Sequence, residues 1–551
     1  MMTKKGNAGR SLFLNFLDRA LPIALAASVV LFILYPIVMV MIQSVRIDGA
    51  WDFRYYKDLF STGTPLLINS LKVSVLVTML STAFSIAVAL AAVFTRKTLS
   101  KIIQLTLLFT MISPPFVTSI AYISLFGRRG FITYHLLGLT LNPYGYWGIV
   151  AMQTLGFISL NALLLSGVIR NIDRAVILSA KDVGAPTSSI IKDVVLPMIK
   201  PGIAVVIMLT FVRSLADFST PTIIGGSYST LATEAYMNVV AYGNVTRAAA
   251  MNVLLFLPAL FAYLLYRNYL KNTQVGSDRL AIEGPLQLER TGFLYWLTAG
   301  TAVFFVLALL LQYGSIFLTA FTKMRFGEMF FSLDNLRETL PYISTTFVRS
   351  IAYSLIVGIF GSLLGFLLSY YLVLRKKNWL SAIDFIATMP YIIPGTFLGL
   401  GYIFAFRNPP LRLVGTAAIV ILNVVYKQLP FSTKVAQSSM LSVGNDVMQS
   451  ATDLGAHPIQ SLKDIVMPMS KSGFLVSFIN NFSSTMTTVG SIIFLVYPSQ
   501  KLATLIMFDV LRSGKTRVGA VIAVLLMLIV VVVNLLFMLI LKGKKDVSRN
   551  P

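Results

Sequence analysis

The feature that most constrains this chain is a series of long apolar segments joined by short polar connections. About twelve segments reach the roughly 20 residues that a helix needs to cross a bilayer. The predicted helices cover residues 21–42, 66–94, 102–126, 147–168, 202–222, 248–266, 294–318, 347–374, 383–406, 414–433, 474–496 and 518–541. Of the 551 residues 56% are hydrophobic and 12% are charged, whereas soluble domains carry about 25% charged residues. The sequence therefore predicts an all-α polytopic membrane protein and argues against a soluble enzyme.

The formal net charge is +24, which in a soluble protein would suggest nucleic-acid binding. Membrane proteins concentrate Lys and Arg in their cytoplasmic connections, so the same excess fits a polytopic chain. Basic residues precede the first helix and follow the second (Arg96, Lys97 and Lys101), although the loop around Arg512 runs against this bias. We expect a lipid bilayer as the surrounding, no nucleic-acid partner, and both termini in the cytoplasm.

Metal chemistry has little support in the composition. The chain has no cysteine, and its two histidines, His135 and His457, cannot build a zinc site alone. We therefore expect no metal site, no catalytic residue and no cofactor bound by this chain.

The chain contains a tandem repeat. Residues 179–202 (SAKDVGAPTSSIIKDVVLPMIKPG) and 450–473 (SATDLGAHPIQSLKDIVMPMSKSG) are identical at 12 of 24 positions, with a constant offset of 271. Upstream, residues 69–126 match residues 349–406 at an offset of 280. Repeats of this length indicate a duplicated structural unit. Each copy holds about six predicted helices and starts and ends on the same side, so the halves are parallel copies that enclose a pathway.

The predicted domains follow this repeat. Residues 1–275 form the first half, residues 276–292 form a polar cytoplasmic linker, and residues 293–551 form the second half. The most faithfully repeated part is a polar loop, at about 170–202 and 443–473. In each copy an amphipathic run reaches a glycine, Gly184 or Gly455, and a second short helix ends at Pro197 or Pro468. Glycine permits a tight reversal and proline stops a helix, so we predict a rigid helix–turn–helix bracket.

The spacing Ala-x-x-x-Gly-Ala, followed by eleven residues and Pro, resembles the "EAA" loop of ABC importer permeases, the binding-protein-dependent inner-membrane components. The resemblance covers nearly the whole chain, as two fused permease subunits with the type I importer fold. It implies that each loop is a coupling helix that docks on an ATPase subunit. The implied coupling residues are Ser179, Ala180, Asp182, Gly184, Ala185 and Pro197, and in the second copy Ser450, Ala451, Asp453, Gly455, Ala456 and Pro468. The motif's glutamate is absent, because Leu178 and Gln449 stand at its positions.

The same resemblance implies the partners and the location. These are two copies of a separate ATPase that uses ATP and Mg, an extracytoplasmic solute-binding protein, and the bacterial inner membrane. A phosphate-binding loop would need Gly-x-x-x-x-Gly-Lys-Ser/Thr. Gly514, Lys515 and Thr516 give only its end, since Asp509 occupies the first glycine position. We therefore predict a permease subunit that is not itself an enzyme.

Two charged residues fall inside predicted helix 202–222, where intramembrane charges usually face a pathway. Arg213 lies near mid-bilayer and Asp217 follows one turn later on the same face. Aligning Phe211 with Phe478 sets Asn480 opposite Arg213 and Ser484 opposite Asp217. The predicted pathway residues are therefore Arg213, Asp217, Asn480, Asn481, Ser484 and Thr485; a static contact between helices is the alternative.

The run LADFSTPTIIGG, residues 215–226, resembles the ferric-iron permease branch, with Ser219 in place of a glycine. That resemblance implies ferric iron or an iron complex as the solute. Importers for phosphonates, hexose phosphates and polyamines look similar at this level and stay open. An arginine in the pathway suits an anion or an anionic iron chelate better than a bare cation. Two further alternatives are a secondary transporter, which also has two six-helix halves, and a polytopic membrane enzyme, for which clustered acids or histidines are missing.

Overall fold

A computed structural model describes residues 2–110, 113–114, 116–140, 142–271, 292–325, 328–441 and 443–542. The predicted linker, 276–292, lies outside these residues except for Gly292.

The first part of the chain is helical with one short hairpin. Its elements are α1 (Met2–Val29), α2 (Tyr35–Gln43), β1 (Arg46–Ile47), β2 (Ala50–Trp51), α3 (Arg54–Ser61), α4 (Thr64–Phe94), α5 (Lys97–Thr110), α6 (Val117–Phe126), α7 (Tyr146–Arg170), α8 (Arg174–Asp182), α9 (Thr187–Ser189), α10 (Leu196–Met198), α11 (Lys200–Ala216), α12 (Ser219–Ile224), α13 (Leu231–Val240) and α14 (Val245–Lys271). Wider π-helical turns occupy Val30–Leu34, Phe131–Leu136 and Ile190–Val195.

The second part follows the same order. Its elements are α15 (Phe293–Phe321), β3 (Thr322–Arg325), β4 (Glu328–Phe331), α16 (Asp334–Ser369), α17 (Leu380–Thr388), α18 (Gly395–Ala405), α19 (Ala417–Leu441), α20 (Asn445–Asp453), α21 (Pro458–Ser461), α22 (Met467–Met469), α23 (Lys471–Thr487), α24 (Ala503–Arg512) and α25 (Thr516–Lys542). The π-helical turns are Tyr370–Leu374 and Leu462–Val466, and 3-10 turns cover Met389–Tyr391 and Pro498–Gln500.

The repeat is visible in these bounds. Helices α7, α8, α11 and α14 begin and end 271 residues before α19, α20, α23 and α25, respectively. In each part a two-stranded antiparallel hairpin follows the first long helices, with β1 paired to β2 and β3 to β4. The hairpins were not predicted, because the strands are too short to show a period-2 pattern.

In the described residues the predicted membrane segments are mainly helical, but several are interrupted. Within the described residues seven helices are long and apolar enough to cross a membrane, and two bent pairs raise the number to nine. One pair bends by 66° between Met198 and Lys200, and the other by 116° between Tyr391 and Gly395. The structure supports a polytopic all-α membrane protein, while the predicted count of twelve crossings is not confirmed.

The described chain forms two compact units whose bounds differ from the sequence halves. Unit 1 comprises residues 1–52, 342–505 and 528–551, and unit 2 comprises residues 53–341 and 506–527. In unit 1, α2 packs on α18, and the Tyr402 hydroxyl donates to the Phe32 carbonyl at 2.8 Å. In unit 2, α4 packs on α7, α11 and α15. Unit 1, which holds most of the second sequence half, therefore also contains the first helices of the first half. Unit 2, which holds most of the first half, contains the first helix of the second half.

Candidate functional site

The two predicted coupling loops share one backbone turn. In unit 2, the Gly184 N–H donates to the Lys181 carbonyl at 2.9 Å and the Ala185 N–H donates to the Ala180 carbonyl at 3.0 Å. This pair of hydrogen bonds is the Schellman motif, which ends a helix with a residue of positive φ. Gly184 has φ +83°. The predicted Ala-x-x-x-Gly-Ala spacing is thus the spacing of a helix C-cap.

The loop in unit 1 repeats this turn with the same pairing. The Gly455 N–H donates to Thr452 and the Ala456 N–H to Ala451, both at 2.9 Å. Gly455 has φ +78°, and a Cβ on it would meet no atom within 4 Å. Glycine is therefore required by backbone conformation and not by lack of space.

Each turn exposes an apolar side chain at its tip. Val183 is 88% exposed and Leu454 is 89% exposed, at the C-terminal ends of α8 and α20. Asp182 and Asp453, the last helical residues, are exposed beside them, as are Ser179 and Ser450. Ala451 is buried and Ala180 is half-buried, so the alanines face the body of the protein.

The segment after each turn differs slightly from the prediction. We expected its helix to end at Pro197 and Pro468, but it continues to Met198 and Met469. The preceding residues widen into π-helical turns. A wider turn accommodates a proline ring that would clash with the carbonyl four residues earlier in an α-helix.

The second loop carries an additional brace. His457 caps α21, because its Nδ1 accepts from the Ile459 N–H at 3.3 Å and Gln460 Oε1 accepts from the His457 N–H at 3.0 Å. Its Nε2 lies 3.1 Å from Asn15 Oδ1 on α1. The Tyr370 hydroxyl donates to the Pro458 carbonyl at 2.8 Å. The loop is therefore held in a fixed position on unit 1.

Asp217 does not continue the helix of Arg213, which corrects the prediction. Helix α11 ends at Ala216, and Asp217 has extended backbone (φ −77°, ψ 106°). Its Oδ1 accepts from the Ser219 and Thr220 N–H groups at 2.9 and 3.2 Å, so it caps α12. Aspartate is favoured at such positions because its oxygen satisfies free N–H groups.

The other oxygen of Asp217 holds a neighbouring helix. Gln153 on α7 donates through Nε2 to Asp217 Oδ2 at 2.9 Å, and the Ser214 hydroxyl donates to Gln153 Oε1 at 2.6 Å. The carboxylate thus makes the static contact between helices that was the alternative to a pathway position.

The alignment of Phe211 with Phe478 is also wrong, by four residues. Helices α11 and α23 both contain 17 residues and keep the offset of 271 throughout. Arg213 therefore corresponds to Ser484, and Asp217 to Thr488. A single phenylalanine match could not fix the register, because four residues shift a helix by about one turn.

The corrected register brings out a polar junction in each unit. In unit 2, Asn161 Nδ2 donates to Ser81 Oγ at 3.1 Å and to Thr210 Oγ1 at 2.7 Å, which joins α4, α7 and α11. In unit 1, Asn481 Nδ2 donates to Ser362 Oγ at 3.2 Å and to Ser432 Oγ at 2.9 Å, which joins α16, α19 and α23. All six side chains are buried.

The two asparagines are not equivalent in sequence. Asn161 corresponds to Ser432, and Thr210 corresponds to Asn481. Both units therefore have a polar junction among three helices, but the amide comes from α7 in unit 2 and from α23 in unit 1. Sequence comparison of one helix at a time misses it for this reason.

The remaining predicted pathway residues divide into two rows. Arg213 is exposed, and Asn480 and Ser484 are partly exposed. Thr485 is buried and donates from Oγ1 to the Asn481 carbonyl at 2.5 Å. On α23 the predicted pathway residues thus form an accessible row, Asn480 and Ser484, beside a buried row, Asn481 and Thr485.

Sequence reasoning missed Lys427. It is the eleventh of 25 residues in α19, inside predicted helix 414–433, and its Nζ donates to Thr488 Oγ1 at 2.9 Å. A charge in the middle of a predicted membrane helix was the available signal. Within the part of the chain that the structure describes, no three His, Asp or Glu side chains come together as possible metal ligands.

Known proteins that resemble this chain are transport permeases. Residues 81–274 match the family described as binding-protein-dependent transport system inner membrane component. The ferric transport system permease protein FbpB of Actinobacillus pleuropneumoniae is 24% identical over 516 residues, which cover 90% of this chain and 75% of that protein. FbpB 1 of Haemophilus influenzae, assigned to ferric transport, is 25% identical over 447 residues, which cover 78% and 70%. PhnV of Salmonella typhimurium, assigned to 2-aminoethylphosphonate transport, is 24% identical over 180 residues, which cover 31% and 67%.

These matches, together with the membrane helices, support an ABC importer permease, a multi-pass membrane subunit. Systems of this kind include an ATPase and a binding protein. Within that class, the chain resembles the ferric-iron permease branch, as the LADFSTPTIIGG segment predicted.

Proposed function

We propose that this permease takes up ferric iron or an iron complex, and that its two coupling loops transmit the closure of two ATPase copies that use ATP and Mg. The observation that carries the coupling role is the duplicated Schellman turn with an exposed apolar tip. A connector between helices needs no second copy of the same turn and tip. An extracytoplasmic binding protein would deliver the solute.

The chemistry of the tips fits a docked partner. Val183 and Leu454 gain little from exposure to water, while burial of each in a partner groove would contribute about 1.5–3 kcal/mol. Asp182 and Asp453 stand at helix C-termini, where a negative charge is unfavourable by about 0.3–1 kcal/mol. Two acids in an intrinsically unfavourable position are explained by a cationic partner. They would replace the glutamate that the motif lacks.

The coupling role is tested with the double variant Val183→Glu, Leu454→Glu. We expect at least tenfold weaker binding of the ATPase, because two charges would enter apolar contacts, and tenfold corresponds to about 1.4 kcal/mol. Copurification of the ATPase with the permease and uptake into proteoliposomes are the measurements. Thr98→Glu, at an exposed position in the first turn of α5, is the control. Normal ATPase binding by the double variant would refute the coupling role.

The substrate proposal rests on the relatives assigned to ferric transport, whose matches extend through most of the chain. The phosphonate relative matches a shorter segment. With its binding protein, the complex should accumulate ⁵⁵Fe in proteoliposomes, and 2-aminoethylphosphonate, hexose phosphate or polyamine should not be taken up. Uptake that continues with a protonophore and stops without ATP excludes a secondary transporter. A complex that ignores iron would refute this substrate.

We assign the two rows of polar residues different roles. Arg213, Asn480 and Ser484 line the pathway, because they are accessible. Asp217, Asn481 and Thr485 hold the helices that carry them, because their polar atoms bind neighbouring residues.

A further inference from the structure

Lys427 is a cation inside the predicted membrane helix 414–433 that the repeat does not explain. Its position corresponds to Gly156 in the first half, so the charge is no part of the duplicated scaffold. Thr488, which accepts from its ammonium at 2.9 Å, corresponds to Asp217. Charges inside a membrane helix are costly and normally mark a transport pathway. Lys427 therefore calls for a role in the second half specifically.

One helical turn before Lys427 lies an unsatisfied amide. Asn423 is 1% exposed, and neither its Nδ2 nor its Oδ1 has a hydrogen-bond partner among the described residues. Buried amides are normally paired, because an unmade hydrogen bond is destabilising. An unpaired buried amide one helical turn from Lys427 indicates that the two side chains bind a solute during transport.

Asn423 and Lys427 border the same cavity in unit 1. The space measures about 140 Å³ including its open side, and it is too narrow for a water molecule in this conformation. The other lining residues are Phe32, Ile33, Pro390, Leu398, Tyr402 and Tyr426. These eight described residues include no carboxylate. The lining offers an ammonium and an amide N–H₂ as donors, so it suits oxygen anions and repels a bare metal cation.

We propose that Asn423 and Lys427 bind the anionic oxygens, carboxylate or phosphate, of a chelate that crosses the membrane together with ferric iron. This inference rests on the proposed function and specifies its substrate as an anionic iron complex. When the cavity widens during the transport cycle, the ammonium moves from Thr488 to the anion and the Asn423 amide completes its hydrogen bonds. Pro390, on one side of the cavity, lies next to the 116° bend between α17 and α18.

The test is dual-label uptake by the complete complex with its binding protein in proteoliposomes. One arm uses ⁵⁵Fe with [¹⁴C]citrate and the other uses ⁵⁵Fe with [³²P]phosphate. We expect the wild type to accumulate one of the two anions together with iron. Lys427→Met should lower the uptake of both labels at least tenfold, as expected for a lost charge-assisted bond, and Lys427→Arg should retain most of it. Asn423→Leu, which removes the amide at similar volume, should also lower uptake.

The control is Lys434→Met on the same helix. Lys434 forms an ion pair with Asp384 at 2.9 Å and does not border the cavity, so uptake should persist. Iron uptake without either anion, or normal uptake by Lys427→Met, would overturn the inference while leaving the proposed function intact. If Lys427→Met does not assemble, the wild-type labels and Asn423→Leu decide. No ATP-dependent iron uptake by the wild type would instead overturn the proposed function, and the inference with it.

Discussion

The backbone conformation of a single glycine ends the first helix of each proposed coupling loop. Gly184 and Gly455 both adopt a left-handed backbone in open space, so only the backbone limits which residue fits. A side chain with Cβ costs about 1–2 kcal/mol in that region, and Asn tolerates it better than other residues.

Replacement of Gly455 by valine should therefore unwind the turn, whereas Gly455→Asn should keep it. We expect valine to reduce ATP-driven uptake severalfold, because a branched Cβ disfavours the positive φ. Uptake and ATPase copurification are measured for both variants. Equal activity of the valine and asparagine variants would show that the φ of this turn is unimportant.

Asn480 lies in the accessible row and its neighbour Asn481 lies in the buried row, so alanine variants of the two residues test the two roles separately. Asn481→Ala would leave the Ser362 and Ser432 hydroxyls without their amide and should lower the stability of unit 1 by about 1–3 kcal/mol. Asn480→Ala should leave the unfolding temperature unchanged and lower uptake. Thermal unfolding in detergent and uptake are measured for both. An unchanged unfolding temperature for Asn481→Ala would contradict the junction.

At the scale of elements, helices were predictable and their interruptions were not. Hydrophobicity predicted the long apolar helices, seven to nine of which could cross a membrane within the described residues, and the glycine spacing predicted the helix-ending turns at Gly184 and Gly455. The helix end at Asp217 was missed because the sequence allows two interpretations of an acid after an apolar run: a continued helix in which it pairs with Arg213, or a helix cap. The hydrogen bonds from the Ser219 and Thr220 N–H groups show that it is a cap. The junction of Asn161 and the cavity at Asn423 depend on contacts between distant helices, which no local pattern encodes.

The cap at Asp217 makes an element-level prediction. Asp217→Asn should retain stability within about 0.5 kcal/mol, because asparagine caps as well as aspartate. The Gln153 amide can reverse to accept from the new side chain, since the Ser214 hydroxyl can accept as well as donate. Asp217→Ala should cost about 1 kcal/mol or more through loss of the cap.

Thermal unfolding and uptake distinguish the cap from a charge in the pathway. The asparagine variant should transport like the wild type if the carboxylate only organises α12 and α7. Loss of uptake in a stable Asp217→Asn variant would mean that the negative charge itself acts on the solute.

At the scale of the whole molecule, the compact units exchange the first helices of the sequence halves. Residues 1–52 belong to unit 1, where Phe32 stacks on Tyr426 with ring centroids 4.9 Å apart. Residues 293–321 belong to unit 2, where the Thr319 hydroxyl donates to Ser124 Oγ at 3.0 Å. The sequence repeat reflects how the chain was duplicated, whereas the compact units reflect how its helices pack. The two divisions of the chain therefore need not coincide.

Cutting the chain between the sequence halves should therefore separate helices from their packing partners. We expect residues 293–551 expressed alone to aggregate, because α18 loses its packing on α2 and α19 loses its packing on the turn Val30–Leu34, and exposed apolar surface drives association. Coexpression with residues 1–275 should restore a monodisperse complex. A fragment of residues 293–551 joined to residues 1–52 should be better behaved than residues 293–551 alone. Size-exclusion profiles in detergent compare the three samples, and a monodisperse, cooperatively unfolding 293–551 fragment would show that the first helices are dispensable for unit 1.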